Sequence, residues 1–113
     1  MDGIVFQRTE RLEAVVEFYT ERIGAEVWLE QPDCTILRAG GFRLGFCERE
    51  GAETEGILTF VVGSRAAVDD LYDRLASVAD GEPRYNERYE IYQFFATDPE
   101  ARTVEVQSFE HDE

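Results

Sequence analysis

An α+β fold built from two tandem βαβββ modules is predicted for this chain of 113 residues, and two observations predict it. The first is periodicity: the spacing of apolar residues passes from strand-like to helical and back to strand-like twice, in the same order. The second is register. Tyr72 follows Tyr19 by 72 − 19 = 53 residues and holds the equivalent place in its helical stripe, so the repeat is internal to the sequence.

In the first module Ile4 to Arg8 (IVFQR) reads as a short strand. Thr9 is a candidate N-cap, and Leu12, Val15, Val16, Tyr19 and Ile23 fall at helical spacing up to a stop at Gly24. Three strand-like runs follow, Ala25 to Glu30, Cys34 to Ala39 and Phe42 to Glu48, the last two joined by a tight turn at Gly40-Gly41. In the second module Gly56 to Val62 (GILTFVV) is a strand, Ser64 a candidate N-cap, and Val68, Leu71, Tyr72 and Leu75 form the helical stripe. Glu82 to Asn86, Glu90 to Thr97 and Arg102 to Phe109 supply the remaining strands. Both stripes are expected to pack on one face of a sheet. The length supports one domain, residues 1–113, with module 1 over about 3–49 and module 2 over about 55–110. Met1 and the tail from Glu110 to Glu113 are expected to fray, leaving the one histidine, His111, solvated.

Composition narrows the partners. Twenty-five acidic residues against 11 basic ones, every basic one an arginine, give a net charge of −14. That excess disfavours nucleic acid and anionic membranes. No apolar run approaches the roughly 18 residues of a membrane span, and Met1-Asp2-Gly3 lacks the basic flank of a signal peptide, so a cytoplasmic location is expected. An acidic surface without lysine resembles that of proteins from salt-loving organisms. Two cysteines without a CxxC spacing give no zinc or disulfide framework, and free thiols are expected.

Two stretches carry a resemblance. Leu12 to Val27 (LEAVVEFYTERIGAEV), an amphipathic helix ending in Gly and running into a strand, resembles the first motif of the glyoxalase / bleomycin-resistance / extradiol-dioxygenase superfamily, also called the vicinal oxygen chelate (VOC) superfamily. Phe95 to Val106 (FATDPEARTVEV), an Asp-Pro turn before a strand bearing Glu105, looks like its closing motif, with Ala101 where the family turn usually has Gly. The resemblance spans nearly the whole chain. It implies a curved mixed sheet forming a cup, helices on the outer face, and metal ligands pointing inward from four positions. Carried over residue by residue, those positions fall on Ile4, Gly45, Gly56 and Glu105. One carboxylate cannot hold a divalent ion against water, so no metal and no cofactor are expected. Gly45 and Gly56 either leave room in the cup or mark a bulge or strand crossing.

Strand alternation then assigns neighbours to the cup face: Phe6 and Arg8 with Ile4, Arg43 and Cys47 with Gly45, Leu58 and Phe60 with Gly56, Thr103 and Gln107 with Glu105. A two-residue turn at Gly40-Gly41 makes cross-strand partners sum to 81, so Arg38 faces Arg43, Ile36 faces Gly45 and Cys34 faces Cys47. Like charges directly opposite are destabilising, which calls for an anion between Arg38 and Arg43. Two sources are open. Arg8, Arg38 and Arg43 around the apolar floor of Ile4, Phe6, Leu58 and Phe60 suit a small organic anion; alternatively the chain's own acids, Glu105 among them, neutralise the arginines, and this second reading is preferred because acid is abundant. The segment from Tyr85 to Tyr92 could stack a planar ligand, but its aromatic and Arg composition fits a subunit contact better.

The leading expectation is a metal-free homodimer binding a small organic anion, closer to the bleomycin-resistance type of binder than to a metalloenzyme. In that type the cleft forms between chains, which would set Arg8 and Glu105 across a dimer. The rivals are a lyase or isomerase using Glu105 as general base beside Arg8, a dioxygenase-type metalloenzyme with rearranged ligands, and a structural dimer with a filled cup.

Overall fold

The computed structural model describes residues 1–110; His111 lies outside them. The chain divides into two compact units, Met1–Thr54 and a second beginning at Glu55. The first runs β1 (Val5–Thr9), α1 (Leu12–Glu17), β2 (Glu26–Glu30), β3 (Cys34–Ala39) and β4 (Phe42–Glu48). The second runs β5 (Ile57–Val61), α2 (Arg65–Leu75), β6 (Arg84–Asn86), β7 (Ile91–Thr97) and β8 (Thr103–Phe109). Each is a βαβββ module, as the repeat predicts. The strands form two four-stranded mixed sheets, ordered β1-β4-β3-β2 and β5-β8-β7-β6. In both, the first strand runs parallel to the fourth and the other pairings are antiparallel.

The first helix departs from a plain α-helix. After Glu17 it widens into a π-helical turn over Phe18–Ile23, and Thr20 Oγ1 donates back to the Val16 carbonyl at 2.8 Å. Gly24 stops it in the left-handed region at φ 94°. Thr9 is not the cap residue; its hydroxyl accepts from the Arg11 N–H instead. Tyr19 and Val15 are wholly buried, and the Tyr19 ring stacks on Phe46 of β4. In the second unit Ser64 caps α2 through the Ala67 N–H, and Tyr72 meets Phe94 of β7 edge-on. The equivalent tyrosines thus fasten each helix to its own sheet. Glu110 does not fray: its backbone N–H donates to the Glu90 carbonyl and its carboxylate pairs with Arg65.

The β3–β4 hairpin has the register the turn implies, with Arg38 opposite Arg43, Ile36 opposite Gly45 and Cys34 opposite Cys47. The two cysteines are not free thiols. They are joined as a disulfide across directly opposed positions, where strand pairing already brings the Cα atoms to 4.0 Å. Closing a loop of this length stabilises the fold by about 3 kcal/mol in the chain-entropy picture.

Candidate functional site

The first unit gathers the arginines and supplies their counter-charges from its own chain. Parallel pairing sets Phe6 beside Gly45 and Arg8 beside Cys47, so Phe6, Arg8, Arg43 and Arg38 share one face of the sheet. Arg8 is tied to the loop after β4: its Nε donates to the Gly51 carbonyl at 3.0 Å, and Glu53 accepts from its backbone N–H. Arg38 pairs at 3.2 Å with Glu26, directly opposite in β2. Arg43 lies 4.6 Å over the Trp28 ring and 3.5 Å from Asp2, its side chain only 19% exposed. Trp28 sits where the β2–β3 register shifts, a bulge that turns its ring toward Arg43. Among the described residues, Arg43 Nε is the buried side-chain nitrogen without a hydrogen-bond partner. The anion that the Arg38/Arg43 pair requires is therefore supplied twice over, by Glu26 and by Asp2.

Gly45 is neither a void nor a bulge. A Cβ there would lie 2.5 Å from two carbons of the Phe6 ring, so the ring occupies the space that the missing side chain leaves. Gly56 precedes β5 with φ +86°, a left-handed residue outside the strand. Ile4 likewise lies just ahead of β1.

In the second unit Leu58 and Phe60 are not on the face of Glu105, contrary to the alternation counted through Gly56. Leu58 pairs with Val104 and Phe60 with Val106, whereas Thr59 pairs with Glu105. The even-numbered set is buried beneath α2, where Phe94, opposite Val106, meets Tyr72. Counting failed because a left-handed Gly56 breaks the two-residue alternation before the strand begins. Glu105 is 8% exposed and bonded through both oxygens: Oε1 accepts from Thr59 Oγ1 at 2.9 Å and Oε2 from Gln93 Nε2. Gln93 Oε1 in turn accepts from Asn86 Nδ2 at 2.9 Å. Tyr92 and Phe94 belong to the helix side. Tyr92 donates to Asp69 of α2, a bond that raises its hydroxyl pKa, with burial and the Asp69 charge acting in the same direction. Arg65 covers the rings of Tyr85 and Tyr92, and its pairing with Glu110 raises its pKa. The guanidinium occupies the ring faces that a planar ligand would need.

No protein-family model and no curated protein matches the sequence. Solved structures do match. A glyoxalase/bleomycin resistance protein/dioxygenase family enzyme from Burkholderia phytofirmans superposes with a TM-score of 0.83 at 21% identity, over 97% of this chain and 100% of that one. The fold is that of the vicinal oxygen chelate proteins. An integron cassette protein from a Halifax Harbour sewage outfall metagenome gives 0.80 at 19% identity over 96% and 98% of the two chains. Lactoylglutathione lyase from Agrobacterium tumefaciens gives 0.78 at 20% identity over 96% and 92%.

The metal that the resemblance implies does not fit the residues present. Among the described residues no three His, Cys, Asp or Glu side chains converge. The one donor retained, Glu105, already has both oxygens engaged by Thr59 and Gln93. Sequence reasoning reached Glu105 and the three arginines but missed Asp2, Trp28, Thr59 and Gln93. Asp2 lies ahead of the first strand and Trp28 on a bulge, Thr59 depends on a parallel register that no turn fixes, and Gln93 on the register of the β7–β8 hairpin, which the Asp98-Pro99 loop leaves ambiguous in the sequence.

Proposed function

We propose that the chain is a metal-free binder of a small organic anion with an apolar body, anchored by Arg43. The observation that carries this reading is the Arg43–Asp2 pair. The cation is largely buried against Trp28, whereas Asp2 is 80% exposed, precedes the first strand and approaches only to 3.5 Å. A ligand carboxylate could take the place of Asp2 without leaving any buried charge behind, and the rings of Trp28 and Phe6, each about half exposed, offer apolar surface beside it. Glu105 as general base is the weaker reading, because its carboxylate is committed to two donors within its own sheet.

A thermal-shift screen of apolar carboxylates and phosphates tests the reading. Binders should stabilise the wild type, and Arg43→Ala should weaken them at least about tenfold, the size of a lost charge-assisted hydrogen bond. If no anion stabilises the wild type while Arg43→Ala is less stable, the arginines are structural and the reading falls. The reading extends to a homodimer, supported by exposed Ile57, Val61 and Phe109 on the second sheet, and to folding that strengthens with salt, supported by the charge of −14. Light scattering and thermal midpoints across a potassium chloride series test both. A mass near the protomer's 13.0 kDa overturns the first. A flat or falling midpoint overturns the second, since screening tightens from about 10 Å to about 3 Å between 0.1 and 1 M.

A further inference from the structure

The second unit has a pocket of its own, of about 190 Å³, lined by Asp80, Glu82, Arg84, Gln93, Phe94 and Phe95. Asp80 and Glu82 flank Gly81, whose φ of +94° bends the chain between them, and Arg84 opens β6 with its Nη2 3.6 Å from where a Gly81 Cβ would lie. Arg84 stands opposite Gln93 in the β6–β7 pairing. The side chain of Gln93 is held at both ends, donating to Glu105 and accepting from Asn86, so this wall is fixed. Phe94 is buried and Phe95 half-buried, giving the pocket an aromatic side.

Its charges are of both signs and are not paired with each other. Arginines 8, 38, 43, 49, 65 and 102 each lie within 4.0 Å of a carboxylate. Among the described residues Arg84 has no such partner, and neither Asp80 nor Glu82 has a cation, although all three line one small pocket. Opposite charges that line one cavity without pairing to each other complement a molecule that carries both. A simple anion would meet two carboxylates there, and a simple cation would meet the guanidinium. The volume is below the roughly 300 Å³ at which drug-sized ligand sites begin, so the occupant is small. We propose that this pocket binds a small zwitterion of the α-amino-acid class, with its carboxylate on Arg84, its ammonium at Asp80 and Glu82, and a short side chain against Phe95.

Calorimetry on the full chain at about 0.1 M salt, where exposed charges still act over about 10 Å, tests this with glycine, L-alanine and L-serine as probes. At least one should bind saturably. That probe should bind at least about tenfold more weakly to Arg84→Gln and to the Asp80→Asn/Glu82→Gln double variant, the size expected for losing a hydrogen bond to a charged group. All three positions are exposed, and circular dichroism checks that the variants remain folded. Propionate and ethylamine, each carrying one of the two charges, should bind more weakly than alanine. The proposal is overturned if none of the three amino acids binds, if binding is unchanged in both folded variants, or if propionate or ethylamine binds as tightly as alanine.

Discussion

Gly45 in β4 and Glu105 in β8 stand in the fourth strand of their respective units, each beside a residue of the first strand, and the two units complete these positions by opposite chemistry. Beside Gly45 is Phe6, whose ring covers the bare backbone. Beside Glu105 is Thr59, whose hydroxyl bonds the carboxylate while Gln93 takes the other oxygen. A side chain absent from the fourth strand is replaced by one from the first, and a side chain retained there is tied down by its neighbours. A missing ligand in one strand therefore does not imply an empty site, and a retained one does not imply a free donor.

The same contrast governs the charges. Arg38 of the first unit is a surface ion-pair partner, 45% exposed. Arg102 of the second is 1% exposed and bridges Asp98 and Glu100, whose side chains are 0% and 8% exposed. Replacing each with methionine should separate the units most strongly. Arg102→Met leaves two buried carboxylates facing each other and should cost about 3–5 kcal/mol. Arg38→Met should cost at most about 1 kcal/mol, because water already solvates both partners. Urea denaturation of the two variants measures the difference. Equal losses would mean that burial does not distinguish these arginines.

A smaller effect tests the aromatic lid. Gly45→Ala should cost about 1–2 kcal/mol, since the new Cβ must displace the Phe6 ring, which is half exposed and free to swing outward. In a Phe6→Ala background the same change should be neutral or stabilising, because alanine suits a strand better than glycine does. A double-mutant cycle reads the coupling. Additive losses would show that Gly45 answers to something other than Phe6.

The fold was legible because both signals behind it are local. Helical stripes and strand alternation sit in contiguous segments, and the Gly40-Gly41 turn fixed the β3–β4 register down to the opposed cysteines. Their oxidation was not legible, since opposition alone leaves the redox state open. The site was harder to read for a physical reason. Parallel pairing of β5 with β8 is set by packing across a long connection rather than by a turn, so Thr59 could not be placed beside Glu105, and a left-handed Gly56 reversed the apparent facing of Leu58 and Phe60. Asp2 as the partner of Arg43 had no sequence signal at all, lying outside any periodic segment.

Ala101 gives the finest test, because there the two ends of the β7–β8 turn share one residue's strain. Asp98 organises the turn: its carboxylate accepts from the N–H groups of Glu100 at 2.8 Å and Arg102 at 3.0 Å, and its backbone carbonyl accepts from Ala101 N–H at 2.9 Å. Those bonds hold Ala101 at φ +65°, in the left-handed region where a Cβ costs about 1–2 kcal/mol. The glycine that the resemblance leads one to expect at this position would remove that cost. It would also loosen the unfolded chain, which takes back about 0.4–1 kcal/mol. Ala101→Gly should therefore stabilise the protein by at most about 1.6 kcal/mol, read as a small rise in the urea midpoint at unchanged slope. A loss of stability would show that the Asp98 bonds, and not the backbone of residue 101, set the geometry at negligible strain.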